Sequence, residues 1–76
     1  MKQLLEHLAK ALVDDPEQVE VRLVENERLI ILELKVAPDD MGKVIGKQGR
    51  IARAIRTVIS AAAVKENKRV VVEIVQ

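Results

Sequence analysis

The chain has no cysteine and no phenylalanine, tyrosine or tryptophan, and it holds one histidine, three glycines and two prolines among 76 residues. Without cysteine there is neither a disulfide framework nor a thiolate metal site. One histidine, His7, cannot assemble a zinc centre with scattered carboxylates. Nucleophilic catalysis lacks its usual means as well, because Ser60, Thr57 and His7 are each the sole residue of their type and have no reason to converge. No apolar run approaches the roughly 18 residues that span a bilayer, and the N-terminus lacks the basic, apolar and small-residue succession of a signal peptide. The expectation is a soluble, cytoplasmic protein that is not an enzyme.

What is present is charge, unevenly placed. Thirteen Lys/Arg nearly balance twelve Asp/Glu for a net charge of +1. Residues 1–40 hold five cations against ten acids, whereas residues 41–56 hold five cations and no acid. Those five are Lys43, Lys47, Arg50, Arg53 and Arg56. A focused basic patch on a nearly neutral chain marks a local docking site for an anion, not a general attraction to polyanions.

Hydrophobic spacing divides the chain into six elements with no linker or internal repeat. Leu4, Leu5, Leu8, Ala11 and Leu12 predict an amphipathic helix ending near Asp14-Asp15-Pro16. Val19, Val21 and Leu23 alternate with Glu20 and Arg22, as in a half-buried strand. A turn at Asn26-Glu27 leads into Leu29 to Val36, a run apolar on both faces at its start and therefore expected at the centre of a sheet. Asp39 is placed to N-cap a short helix reaching Ile45. Gly42 inside that helix costs about 1 kcal/mol relative to Ala, which points to close approach of something to the backbone there. Ile51, Ala54, Ile55, Val58, Ile59 and Ala62 form the stripe of a longer helix starting at Arg50, and Val70, Val72 and Ile74 a last strand. The order predicts an α+β layer arrangement with helices packed on one sheet face. A single domain over 1–76 buries only about 60% of the surface of its unfolded chain, so association with another subunit is a natural source of further stability.

The chemistry concentrates at Gly46-Lys47-Gln48-Gly49. Two glycines let a turn take positive φ and admit a sugar-phosphate chain close to the backbone. The unpaired amides of a helix N-terminus follow at once, with Lys47 and Arg50 beside them. On that helix Arg50, Arg53 and Arg56 share an arc turned away from the apolar stripe. A merely solvated face would mix signs to gain i,i+4 pairs, and here Glu is missing. A P-loop needs four residues between its glycines and Ser/Thr after its Lys. Three residues separate Gly42 from Gly46 and Gln48 follows Lys47, so nucleotide hydrolysis is not expected.

Val44-Ile45-Gly46-Lys47-Gln48-Gly49-Arg50-Ile51 resembles the helix-GxxG-helix signature of KH domains, and the six-element order is similar to their type II form. Over its whole length the chain most resembles the small bacterial single-KH proteins, the KhpA or YlqC-like group. The resemblance implies a type II KH fold, α-β-β-α-α-β, with a three-stranded mixed sheet and three helices packed on one face. In it the strand at Leu29 to Val36 lies between its hairpin partner and a final strand parallel to it. It also implies non-catalytic binding of single-stranded RNA, with no cofactor and no metal.

Carried over by position, Gly46, Lys47, Gln48 and Gly49 would clamp the backbone of about four nucleotides. Lys43, Arg50 and Arg53 would support them electrostatically, with Arg56 beyond reach. Val44, Ile45 and Ile51, together with Val36, would border the apolar groove for the bases, at least one of them belonging to the core. Base-aromatic stacking is worth about 1–3 kcal/mol per base, and its absence implies weak, permissive binding that a second binding unit would strengthen through effective concentration. The family implies such a unit: a second copy, as a homodimer, or a multidomain KH protein of the KhpB, Jag or EloR type, a pair linked to RNA regulation, RNA chaperoning and cell shape. Ile31 and Val71, left outside one core, would be covered by the first helix or by such a partner. A reading of a different class makes the chain a protein-interaction adaptor on a KH scaffold, with little RNA affinity of its own.

Overall fold

Leu5 and Ala9 lie one helical turn apart on α1 (Lys2–Leu12) and are both fully buried, the outcome expected where apolar residues recur on one helical face. The surface that receives them is a sheet built by period-two alternation. In the central strand β2 (Leu29–Lys35), Ile30, Leu32 and Leu34 are buried while Leu29, Ile31 and Glu33 are half-buried and Lys35 exposed. The computed structural model describes residues 1–75. β1 (Glu20–Glu25) runs antiparallel to β2, and β3 (Arg69–Val75) runs parallel to it on the other side.

The register places Leu32 opposite both Leu23 and Val72, and Leu34 opposite Val21 and Ile74. These residues share the covered face of the sheet. Leu5 and Ala9 of α1, Val44 of α2 (Met41–Ile45) and Ile55 and Ile59 of α3 (Arg50–Ala62) complete the core. All three helices therefore cover the same face, and the order α-β-β-α-α-β with a three-stranded mixed sheet is the expected one. The hairpin turn is made by Asn26, whose side-chain oxygen accepts from the backbone N–H groups of Arg28 and Leu29, both at 2.9 Å. That is the local side-chain bond for which Asn is favoured in turns.

Three expectations are corrected by packing. Asp39 caps nothing: Asp40 stands at the start of α2, and its carboxylate accepts from the amides of Asp14 at 3.2 Å and Asp15 at 3.0 Å. Those amides lie just past the end of α1, and a distant carboxylate satisfies them where the chain itself does not. The structure leaves the side of Gly42 open, where an added Cβ would meet nothing within 4 Å. Ile31 and Val71 pair with each other on the sheet face opposite the helices, out of reach of α1.

The third lies in α3 (Arg50–Ala62). Its buried residues are Ala52, Ile55 and Ile59, followed by Ala63 just past its end, while Ala54, Val58 and Ala62 are exposed. At about 100° per residue the core-facing line is turned by about 75° from the centre of the anticipated stripe. Ala52 is small enough to bring the helix close to its neighbours. The displaced apolar shoulder, with Ile51, Ala54 and Val58, faces Leu8, Ala11 and Leu12 of α1 across an open apolar groove.

Candidate nucleic-acid interface

α2 stops at Ile45 because Gly46 takes φ 76° and ψ 172°, a combination essentially confined to glycine. Glycine is required twice over at this point. A Cβ on Gly46 would lie 2.5 Å from Cγ1 and 2.9 Å from Cβ of Ile51, so the chain passes directly against the first turn of α3. Lys47 to Gly49 then form one tight turn closed by the Gly49 N–H, which donates to the Gly46 carbonyl at 3.1 Å. Gln48 (φ 58°, ψ 25°) and Gly49 (φ 73°, ψ 16°) are consecutive left-handed residues. The tetrapeptide thus interrupts the helical path and projects from it, with Lys47 and Gln48 exposed and Gly46 and Gly49 half-buried.

α3 begins immediately afterwards with no side-chain cap and no acid in its first turn. The Arg50 N–H donates to the Lys47 carbonyl, and the amides that follow it lie at the positive end of the dipole. The loop and this helix start form one face rich in donors and low in competing acceptors, suited to phosphate oxygens.

The anticipated site residues do not all gather on that face. Lys47 and Arg50 are exposed beside the loop and, among the described residues, their side chains have no hydrogen-bond or salt-bridge partner. Arg53 reaches back, its Nη2 donating to the Gln48 carbonyl at 2.8 Å. Arg56 turns to the sheet, where its Nε donates to the Val72 carbonyl at 3.2 Å. Lys43 pairs with the Asp14 carboxylate and lies 3.5 Å from Oδ1 of Asp40. Ile45 and Ile51 are half-buried and can border a groove, but Val44 and Val36 are core residues at 0% and 2% exposure, closed to any base.

Asp40 is the functional-region residue that sequence reasoning missed. It is 2% exposed. Burial alone would raise its pKa, but the amides of Asp14 and Asp15 and the nearby Lys43 outweigh that penalty and hold it below the ordinary carboxylate range. The hydrogen bond to Asp14 in turn raises the Lys43 pKa, with both carboxylates adding to the shift against the cost of its own desolvation. No local pattern could have shown this, since Asp14 and Asp40 are 26 positions apart. Among the described residues no group of three or more His, Cys, Asp or Glu could hold a metal ion, and no helix is long and apolar enough to cross a membrane.

The family model described as KhpA/KhpB, KH domain, matches residues 2–74. Similar proteins include the RNA-binding protein KhpA of Clostridium acetobutylicum, 77% identical over 75 residues that cover 99% of this chain and 100% of the relative. The RNA-binding protein KhpA of Clostridium perfringens is 71% identical with the same coverage. A more distant example, the RNA-binding protein KhpA of Aquifex aeolicus, is 50% identical over 76 residues, 100% of this chain and 96% of its own. With a uniform fold, an exposed GxxG turn and full-length similarity, the chain belongs to the KhpA/KhpB KH-domain family.

Proposed function

We propose that this chain is a non-catalytic module for single-stranded RNA, gripping the sugar-phosphate backbone at Gly46-Lys47-Gln48-Gly49 and at the first turn of α3. The observation that carries the reading is the conformation of that tetrapeptide: exposed at Lys47 and Gln48, left-handed at Gln48 and Gly49, and opening onto a helix start without a side-chain cap. Backbone amides and the exposed Lys47 and Arg50 then meet the phosphates, while Ile45 and Ile51 offer aliphatic surface to the bases. The similar proteins of both clostridia and of Aquifex aeolicus bear the name RNA-binding protein KhpA, which supports the same reading.

With no aromatic residue in the chain, each base rests on aliphatic carbon and binding by one domain is weak. The working unit is therefore paired, as a homodimer or with a multidomain KH protein of the KhpB, Jag or EloR type, acting in the cytoplasm in RNA regulation and chaperoning. The open apolar groove between α1 and α3 supports self-association, because Leu12 and Val58 are 38% and 44% exposed there.

The test replaces Lys47 and Gln48 together by Asp. Both side chains are exposed, so the fold should survive, as judged by circular dichroism and thermal unfolding, while binding of a labelled single-stranded RNA should be lost. Undiminished RNA binding by the folded double variant would sink the loop assignment. Absence of RNA binding by the parent, with dimerisation retained, would favour the adaptor reading.

A further inference from the structure

Of the five cations in residues 41–56, three are engaged by oxygens of the chain itself: Lys43 by Asp14 and Asp40, Arg53 by the Gln48 carbonyl, and Arg56 by the Val72 carbonyl. The sequence suggests one cationic stripe. The structure divides it. We infer that Arg53 is a positioning residue that holds the loop in its RNA-ready geometry, that Lys43 is withheld from RNA, and that phosphate charge is met by Lys47 and Arg50 alone. The inference rests on the RNA-binding reading above and deepens it.

Gln48 carries a side chain in a left-handed conformation, a region sparsely populated by residues other than glycine. Such a conformation persists only where its surroundings hold it. The hold available here is the Arg53 guanidinium, five positions along the rigid α3, whose Nη2 meets the Gln48 carbonyl at 2.8 Å. The same peptide unit carries the Gly49 N–H that closes the turn on Gly46. Pinning the carbonyl therefore fixes the plane of that peptide and, with it, the turn that presents Lys47.

Lys43 is withheld for a different reason. Its charge is opposed by two carboxylates, and the three groups together carry −1, so a phosphate approaching Lys43 meets net repulsion. Turning Lys43 outward would also strip the buried Asp40 of its counter-charge, a costly exchange for one exposed contact.

Salt dependence separates the two kinds of residue. For a single strand each neutralised phosphate contributes about 0.7 to the log-log slope of affinity against salt, so two contacts give a slope of about −1.4. Titration of a fluorescent mixed-sequence single-stranded RNA across salt should give that value for the parent. Lys47→Ala and Arg50→Ala should each flatten it by about 0.7. Arg53→Ala should weaken binding about fivefold or more, by lowering the population of the competent loop, with the slope unchanged. Lys43→Met should leave the slope unchanged too.

Hydrogen exchange without RNA supplies the independent arm: the Gly49 amide should exchange faster in Arg53→Ala than in the parent, and at the parental rate in Lys47→Ala. A flattened slope in Arg53→Ala or Lys43→Met overturns the division, and unchanged Gly49 exchange in Arg53→Ala overturns the positioning role. If the parent binds no RNA at any salt, the proposed function fails, while the exchange measurement still decides whether Arg53 holds the loop.

Discussion

Gly46 and Gly49 bracket the same turn, yet they do different work. Gly49 sits at φ 73°, ψ 16° with open space where a Cβ would project, so Gly49→Ala should cost about 1–2 kcal/mol, the penalty of a left-handed alanine. Gly46 lies in a glycine-only region, and its Cβ would stand 2.5 Å from Ile51 Cγ1. Ile51 is β-branched and stiff within a helix, so it cannot simply swing aside. Gly46→Ala should therefore destabilise the protein clearly more than Gly49→Ala, and urea unfolding of the two variants measures the difference. Equal losses would mean that the close passage of the loop over Ile51 is relaxed in solution. The motif announces two glycines and a turn; which glycine is indispensable depends on Ile51, brought there by the direction in which α3 departs.

The short helix α2 has only five residues, too few to be stable alone. It is held by Val44 in the core and by Asp40 across to Asp14 and Asp15. The folded pKa of Asp40 lies below its ordinary value of 3.8, so its contribution to stability is complete above that value and fades as pH falls through the lowered folded one. Lys43 is raised above 10.5, so its contribution is complete below that value and fades as pH rises through the raised one. The two leave a plateau between. The stability difference between the parent and Asp40→Asn should accordingly be constant from about pH 5 to 9 and shrink below about pH 4, as read by urea unfolding across pH. A difference that varies between pH 5 and 9 would place a different titrating group in control.

Across the whole molecule, the groove between α1 and α3 leaves Leu12 and Val58 exposed on the flank of α3 opposite Arg53 and Arg56. Arg50 and Ile51 also line that groove, so a partner docked there would lie next to an RNA strand at the loop. Sedimentation of the parent should show concentration-dependent self-association, and Val58→Asp should abolish it without unfolding the chain, since Val58 lies outside the buried core. Identical sedimentation of the parent and Val58→Asp would remove α3 from the dimer surface. Loss of self-association should also weaken RNA binding, through the lost effective concentration of a second loop.

The order of elements, the central place of β2, the break at the GxxG turn and the concentration of cations in residues 41–56 were all legible in the chain alone. Each is a property of neighbours in sequence: periodicity of two or 3.6, a glycine that frees φ, the absence of acid over sixteen positions. The rotation of α3 about its axis, the burial of Val36 and Val44, the tie from Asp40 to the end of α1 and the engagement of Lys43, Arg53 and Arg56 were decided only by tertiary structure. They depend on which distant groups arrive within a few ångströms, and one-dimensional spacing carries no such distance. A run of five positive charges is written in the sequence, but whether a charge faces solvent or an internal oxygen is settled when the helices dock on the sheet.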